Sequence, residues 1–146
     1  MSNKLLFLDM DGVIVDLPEG SSKRWGEVGY WKDLQKLPHA DHFVDVCLRY
    51  YTVHILSSLG GGPSSATGKM LWLDRHYPEL REGAILTKRK YLLAGPDRIL
   101  VDDDPSNIFA FTHTGGEAVL FPNPVRYTEE NTRSVEEVIE WLIKLS

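Results

Sequence analysis

The sequence lacks several features that would place it in a specialised class of protein. Its single cysteine, Cys47, allows no disulfide within the chain. The formal net charge is −5, so we expect no general attraction to an anionic membrane or to an extended nucleic acid. No apolar run is long enough to cross a membrane or to form the core of a signal peptide, and we therefore expect a cytoplasmic protein.

A P-loop for ATP is also missing, although residues 55–70 resemble one. The stretch reads ILSSLGGGPSSATGKM and contains the pair Gly68-Lys69. The position of the first P-loop glycine holds Pro63, which has no N–H to donate to a phosphate, and Met70 replaces the required Ser or Thr. The pattern therefore argues against an ATP site, and the glycines need another explanation.

The chain does contain short apolar runs that alternate with helical stretches. Its composition, 42% hydrophobic and 25% charged, is typical of a globular protein, and we expect residues 1–146 to form one domain. The alternation predicts an α/β fold, a Rossmann-like parallel β-sheet flanked by helices. Strands are predicted at 4–8, 52–57, 83–87, 98–102 and 117–121, and helices at 41–51, 64–77, 105–114 and 134–146.

Residue types that favour helix starts mark several of these boundaries. Ser64 or Ser65 is predicted to cap the second helix, and Ser134 with Glu137 matches a capping box at the last one. Asp104, which precedes a proline, is interpreted as a turn former or helix cap.

Residues 17–40 interrupt the alternation after the first strand. They are polar and contain glycines, so we interpret them as an inserted, reduced cap instead of a crossover helix. Trp25 and Trp31 lie within this segment. Their rings could stack on the base of a substrate or could pack the insertion onto the body, and the sequence leaves both possibilities open.

Acidic residues follow two of the predicted strands directly. Asp9 and Asp11 come after the first strand, where Gly12 permits a sharp turn, and Asp102 and Asp103 come at the end of the fourth. The carboxyl ends of parallel strands meet at one edge of a sheet. Clustered carboxylates repel each other unless a cation lies among them, and carboxylate oxygens suit Mg²⁺. The sequence therefore predicts a magnesium site at this edge.

In order and spacing, these stretches resemble the four motifs of the haloacid dehalogenase-like (HAD) phosphohydrolases. The motifs are FLDMDGV, HILSS, Lys90 and ILVDD. Within that superfamily, KMLWLDRHYPE and ILTKRKYLLAGPDRILVDD resemble the 5′(3′)-deoxyribonucleotidase group. The resemblance covers nearly the whole chain outside residues 17–40 and implies a HAD-like fold. It also explains the glycine-rich stretch, in which ILSS is a strand that delivers Ser57 to a phosphate site.

The resemblance implies roles for individual residues. Asp9 is the expected nucleophile, which becomes an aspartyl-phosphate, and Asp11 is the expected acid and base. Ser57 is expected to hydrogen-bond a phosphoryl oxygen, and Lys90, with Lys88 as its rival, to offset the phosphoryl charge. Mg²⁺ is expected on Asp9, the Asp11 carbonyl and Asp102, with Asp103 holding metal-bound water. Substrate contacts are expected at Gly12 and Ser58, and at Trp25 and Trp31 if their rings stack on a base.

The resulting hypothesis is a Mg²⁺-dependent phosphomonoesterase that acts on nucleoside monophosphates, with deoxyribonucleotides favoured. The nucleotidase group usually has a longer helical cap, so the short segment 17–40 predicts an open site and loose discrimination among bases. Another small phosphate ester, a terminal phosphate of a nucleic acid, and a non-catalytic phosphate-binding role are the alternatives. Lys69 is interpreted as a surface residue of its helix.

Overall fold

The chain forms a parallel sheet with helices on both faces, which confirms the predicted fold class. The structure is a computed structural model that describes residues 4–123 and 133–146. The sheet has five strands in the order β3-β2-β1-β4-β5, and all neighbouring strands are parallel. The strands are β1 (Leu5–Leu8), β2 (Thr52–Ser57), β3 (Ile85–Leu86), β4 (Arg98–Asp102) and β5 (Glu117–Leu120).

The helices begin close to where the capping residues predict them, with one exception. Asp104 accepts a hydrogen bond from the Ser106 amide, and Ser134 forms the expected capping box with Glu137. The capping prediction for the helix after β2 was wrong: Pro63 begins that helix and no side chain caps it, because proline is already suited to the first helical position. The helices are α1 (Val28–Lys32), α2 (Ala40–Tyr50), α3 (Pro63–His76), α4 (Pro78–Arg81), α5 (Pro105–His113) and α6 (Val135–Leu145), with 3₁₀ turns at Ser22–Arg24 and Lys90–Leu93.

Both faces of the sheet are covered, which explains the continuous apolar runs. Successive side chains of a strand point to opposite faces. Leu6 and Leu8 of β1 accordingly belong to the larger apolar cluster, whereas Phe7 belongs to a smaller one with Phe111 of α5. Polar side chains are therefore displaced from the sheet to the strand ends. Among the described residues, no helix is both long and apolar enough to cross a membrane.

The insertion after β1 leaves the core and returns to it at one place. The Asp16 amide donates to the Gln35 carbonyl at 2.8 Å, and the Leu37 amide donates to the Ile14 carbonyl at 2.9 Å. Between these bonds, Val15 pairs with Lys36 in an antiparallel bridge. We call residues 14–16 and 35–37 the stem. The intervening chain contains α1 and the first 3₁₀ turn.

The insertion packs tightly on α3 and on the loop before it. A Cβ atom on Gly68 would lie 2.4 Å from the Trp31 Cβ and 2.8 Å from the Val28 carbonyl oxygen. A Cβ atom on Gly61, where φ is +84°, would lie 2.2 Å from the Trp25 carbonyl oxygen. Glycine at both positions thus allows the backbones to approach this closely. The glycine-rich stretch therefore forms part of the surface on which the insertion packs.

Candidate active site

Three neighbouring strands end in polar residues at the carboxyl edge of the sheet, beside one small pocket that Asp9 and Asp102 line and the buried Ser57 does not. Asp9 directly follows β1, Ser57 ends β2 and Asp102 ends β4. The register aligns Leu8, the last residue of β1, with Ile55 and Val101 on its two neighbours, so the three ends lie side by side. The pocket has a volume of about 110 Å³, and its polar lining includes Asp9, Asp11, Ser58, Lys69, Lys90, Asp102 and Asp103.

Lys90 joins two of the predicted site carboxylates. Its ammonium lies 2.9 Å from Asp9 Oδ1 and 2.7 Å from Asp102 Oδ2, and its side chain is almost fully buried. Burial alone would lower its pKa, but the two carboxylates raise the pKa of Lys90 above its ordinary value. Lys88, the rival for this position, is exposed. The structure therefore brings Lys90, and not Lys88, into the pocket, where two carboxylates favour its charged form.

The two carboxyls at the end of β4 have raised pKa values. Burial, followed by the charge of Asp9, raises the pKa of Asp102 to about 7 and that of Asp103 to about 8. Hydrogen bonds from the Asp104 amide at 3.0 Å and the Asn107 side chain at 3.0 Å hold the Asp102 carboxylate in place. Even with the Lys90 ammonium beside Asp102, burial makes both acids costly to keep ionised here.

Gly12 allows the loop after β1 to lie very close to Asp103, which directly follows β4. Its φ is +82°, and a Cβ atom would lie 2.1 Å from Asp103 Oδ2 and 2.8 Å from Asn123 Nδ2. The Gly12 amide donates to the Val15 carbonyl at 2.9 Å, so it is not offered to a phosphate. Gly12 also borders the larger pocket beside the insertion, and the expected substrate contact there stays a prediction. Asn123 in turn donates to Asp103 at 2.7 Å.

The interpretation of Lys69 as a surface residue of its helix was wrong. Only 2% of Lys69 is exposed. Its ammonium donates to Ser57 Oγ at 2.9 Å and to the Ser58 carbonyl at 2.6 Å, and it lies 3.1 Å from Asp11 Oδ2. Burial raises the pKa of Asp11, against the opposing effect of Lys69. One ammonium thus joins the predicted phosphate-binding hydroxyl to the predicted acid.

A helical pattern could have located Lys69. The buried residues of α3 recur at three- and four-residue spacing, the spacing of a helix face turned to a core. They are Ser65, Gly68, Lys69, Trp72 and Leu73. Asn107 and Asn123, the other polar residues that hold site carboxylates, carry no comparable signal in the sequence.

The two tryptophans of the insertion have different environments. Trp31 is 2% exposed and its Nε1 donates to the Trp25 carbonyl at 2.8 Å, so its ring packs inside the protein and base stacking on it is disfavoured. Trp25 is only partly buried. Trp25 and Leu17 border both the acidic pocket and a second, mainly apolar pocket of about 620 Å³ beside the insertion.

The charges at the acidic pocket favour a divalent cation. Asp9, Asp102 and Asp103 are buried and offer oxygens that all lie within 4.8 Å of one another. Together with Asp11 they carry four negative charges when ionised, against two positive charges from Lys69 and Lys90, which leaves an excess of two. Hard oxygen ligands in such a group suit Mg²⁺ or a similar ion. Three of the predicted metal ligands therefore do come together.

Solved structures share this fold at low sequence identity. D,D-heptose 1,7-bisphosphate phosphatase from B. bronchiseptica, solved with magnesium and phosphate, matches with a TM-score of 0.68 and 17% identity. That match covers 98% of this chain and 99% of the other. A HAD family enzyme from Bacteroides thetaiotaomicron, solved with magnesium and inorganic phosphate, matches with a TM-score of 0.58 and 11% identity over 90% of this chain and 100% of the other.

Curated relatives in staphylococci carry the name putative 5′(3′)-deoxyribonucleotidase. The Staphylococcus aureus (strain Mu50) protein is 28% identical over 93 residues, which cover 60% of this chain and 48% of the relative. The Staphylococcus epidermidis (strain RP62A) protein is 24% identical over 119 residues, which cover 81% and 60%. The chain thus spans about half to three fifths of the length of these relatives.

A family comparison covers most of the chain. The sequence model of one family matches residues 22–144, from the insertion to the last helix. That range includes the ends of β2 and β4, with Ser57 and Asp102, as well as Lys69 and Lys90. The chain therefore belongs to the family described as 5′ nucleotidase, deoxy (pyrimidine), cytosolic type C protein (NT5C).

Proposed function

We propose that this chain hydrolyses nucleoside monophosphates, with deoxyribonucleotides favoured, through a phosphorylated intermediate on Asp9. The observation that carries the proposal is the meeting of clustered carboxylates with the ammonium groups of Lys69 and Lys90 in one pocket. Membership of the 5′-nucleotidase family supports the reaction class, and the names of the staphylococcal relatives support the substrate.

In the proposed first step, a carboxylate oxygen of Asp9 attacks phosphorus. The bond from phosphorus to the ester oxygen breaks, and its electron pair leaves with that oxygen, which takes a proton from the Asp11 carboxyl. Lys90 holds the Asp9 carboxylate at 2.9 Å and offsets the negative charge that gathers on the phosphoryl group. Both products of this step are accounted for: an alcohol and an acyl phosphate.

In the proposed second step, water attacks the phosphorus of the intermediate. Asp11, now ionised, accepts a proton from that water, and the bond from phosphorus to the Asp9 oxygen breaks. Inorganic phosphate leaves and both carboxyl groups return to their starting states. The raised pKa of Asp11, which burial causes, favours the protonated form that the first step requires.

Ser57 is available to donate to a phosphoryl oxygen. Its hydroxyl oxygen accepts a hydrogen bond from Lys69 at 2.9 Å. A serine hydroxyl has one proton to donate, and accepting from an ammonium leaves that proton free for another acceptor. The charge of Lys69 also makes the neighbourhood of Ser57 attractive to an anion.

The acidic cluster is the proposed metal site. Asp9, Asp102 and Asp103 would hold the ion, and we propose the Asp11 backbone carbonyl as a further ligand. Bound Mg²⁺ would supply positive charge to the phosphoryl oxygens. The presence of magnesium in two solved HAD-fold proteins agrees with this choice of ion.

The larger pocket is the proposed position of the nucleoside. Its volume of about 620 Å³ lies within the usual range for small-molecule sites, roughly 300–1,000 Å³. Because Leu17 and Trp25 border both pockets, a phosphate in the acidic pocket places its leaving group next to them. The partly buried indole of Trp25 can contact a base, and the apolar lining is expected to discriminate only loosely among bases.

Phosphate release from a panel of phosphate esters tests this proposal. The panel contains deoxyribonucleoside and ribonucleoside monophosphates, a sugar phosphate, a phosphorylated cofactor and a 5′-phosphorylated oligonucleotide, each with Mg²⁺ and with EDTA. We expect the highest kcat/KM for a deoxyribonucleoside monophosphate, and none with EDTA. A clear preference for a sugar phosphate would overturn the substrate assignment. Phosphate binding without turnover of any ester would overturn the enzymatic assignment.

A further inference from the structure

We propose that Trp31 is a positioning residue for the reaction, acting through Lys69 on the acid Asp11. The inference rests on the proposed function, in which Asp11 protonates the leaving group. It replaces the sequence hypothesis that Trp31 stacks on the substrate base. It also gives the insertion a part in the phosphoryl transfer itself, beyond contact with the leaving group.

The face of Trp31 supports the buried ammonium of Lys69. The Lys69 nitrogen lies 4.8 Å from the centre of the Trp31 ring, within the range of a cation–π interaction. An ammonium has three protons to donate. Ser57, Ser58 and Asp11 accept them, so the ring is a fourth neighbour that stabilises the cation without competing for a proton.

Asp11 depends on Lys69 for its orientation. Its Oδ2 lies 3.1 Å from the Lys69 nitrogen, and its Oδ1 is buried with no hydrogen-bond partner among the described residues. A carboxyl group that has a single directional contact turns when that contact moves. The position of the Lys69 ammonium therefore sets the position of the Asp11 oxygens.

The Trp31 ring is itself fixed by the insertion. Its Nε1 donates to the Trp25 carbonyl at 2.8 Å, and the two tryptophan rings lie 5.5 Å apart. On the α3 side, Gly68 has no Cβ and lets the Trp31 backbone approach. These contacts fix the position of the ring. The ring therefore restricts movement of the Lys69 ammonium and keeps it close to Ser57 and Asp11.

A misplaced acid has a characteristic effect on the first step. When the bond from phosphorus to the ester oxygen breaks, the oxygen receives the electron pair and takes its proton from Asp11. A basic leaving oxygen needs that proton, whereas 4-nitrophenolate is stable without it. A defect in the position of Asp11 thus costs more kcat/KM as the leaving group becomes more basic. A defect in base stacking does not follow this order.

Trp31→Leu tests the proposal with three substrates: a deoxyribonucleoside monophosphate, phenyl phosphate and 4-nitrophenyl phosphate. The variant removes the ring face and keeps an apolar side chain. We expect kcat/KM to fall about tenfold for the nucleotide, as the loss of a desolvated cation–π contact implies, and by a smaller factor for phenyl phosphate, whose leaving oxygen is less basic. The loss for 4-nitrophenyl phosphate should be clearly smaller. Equal losses on all three, or a loss confined to the nucleotide, would overturn the proposal.

Two further variants separate positioning from general packing. Trp31→Phe keeps a smaller ring face beneath Lys69 and loses the N–H that bonds the Trp25 carbonyl, so it should lose clearly less kcat/KM than Trp31→Leu. Trp72→Phe is the matched control, because Trp72 is also buried on α3 and donates from Nε1 to the insertion, at the Leu34 carbonyl, without bordering the acidic pocket. It should lower the melting temperature without the leaving-group dependence. The same dependence in Trp72→Phe, or a Phe variant as impaired as Trp31→Leu, would contradict the proposal.

The wild-type protein offers a measurement that does not require Trp31→Leu to fold. The ring current of Trp31 should shift the ε-methylene proton signals of Lys69 upfield in an NMR spectrum, and Lys69→Met should remove that signal. The absence of a shifted lysine signal would overturn the contact. If the wild-type protein hydrolyses none of the three esters, the proposed function is wrong. If the wild-type protein is active and Trp31→Leu has the same kcat/KM on all three, only the positioning role of Trp31 is wrong.

Discussion

The ammonium of Lys90 lies 2.9 Å from Asp9 Oδ1, although the two residues are 81 positions apart in the chain. The contact ties the first strand end to the 3₁₀ turn before β4. Because Lys90 also bonds Asp102 at 2.7 Å, its removal would leave two buried carboxylates facing each other.

Replacement of Lys90 should therefore reduce activity strongly. We expect Lys90→Met to lower kcat/KM by about 10²–10³-fold, the usual effect of removing one preorganised charge from a reacting centre. Lys88→Met is the control, since Lys88 is exposed, and it should stay within about twofold of wild type. A greater loss of kcat/KM in Lys88→Met than in Lys90→Met would show that the role belongs to Lys88 and not to Lys90.

Asp9→Asn should abolish turnover while the protein stays folded. A carboxamide has nearly the same shape as the carboxylate but cannot form the proposed acyl phosphate. It also removes one negative charge from the buried cluster, so the melting temperature without metal should be equal to or above that of wild type. Circular dichroism and phosphate release measure the two effects. Wild-type turnover in this variant would refute the role of Asp9.

Asp102→Ala and Asp104→Ala should affect different properties, the first the affinity for Mg²⁺ and the second the stability of the fold. Asp102 is buried in the acidic cluster, so its loss should weaken Mg²⁺ binding by at least tenfold in calorimetry. Asp104 caps α5 through the Ser106 amide at 2.9 Å, so its loss should instead cost about 1 kcal/mol of stability. If the Asp104 variant bound Mg²⁺ more weakly than the Asp102 variant, the proposed ligand set would be wrong.

The raised pKa values of Asp102 and Asp103, about 7 and about 8, predict a pH-dependent stability without metal. Between the ordinary carboxyl value of 3.8 and these raised values, the folded state binds more protons than the unfolded state, so stability falls as the pH rises across that range and levels off above it. In EDTA, the melting temperature should therefore fall from about pH 5 to about pH 8 and change little above that. Mg²⁺ should restore more stability at the higher pH. Asp103→Asn should flatten the slope, and a slope unchanged by that substitution would contradict the assignment.

Trp25→Leu should affect only substrates with a large leaving group. Trp25 borders both pockets, and the loss of one aromatic–base contact is worth about 1–3 kcal/mol, roughly fivefold to a hundredfold in KM. Hydrolysis of a small alkyl or aryl phosphate should change little. An equal rise in KM for both kinds of substrate would show that Trp25 acts through packing of the insertion.

The sequence predicted the fold and most of the pocket because both follow from strand ends. In a parallel sheet covered on both faces, polar residues such as Asp9 and Asp102 have only the ends of the strands in which to lie. The strand limits followed from the apolar runs with small errors. The third strand, predicted over 83–87, is only Ile85–Leu86, an edge strand that pairs with Leu56 and Ser57 of β2.

The parts that the sequence did not reveal depend on contacts between distant segments. The sequence predicts Lys69 as a surface residue because lysines are mostly exposed, whereas contacts with Trp31 of α1, with Ser57 and with Asp11 bury it. The role of Gly12 depends on Asp103 and Asn123, more than 90 residues away along the chain. No local pattern contains such a neighbour. The spacing of Gly68, Lys69 and Trp72 was available, but it conflicts with the expectation that lysine is solvated.

The stem of the insertion has a consequence for how enzymes of this type diversify. Because residues 14–16 and 35–37 close on each other, the sheet is insensitive to how many residues lie between them, and the entropic cost of a longer loop grows slowly with its length. Under the proposed function, this segment can therefore be lengthened, shortened or replaced to suit new leaving groups while the strand ends that carry the pocket keep their places. One structural requirement limits that freedom: any replacement segment must still shield the ammonium of Lys69 from water.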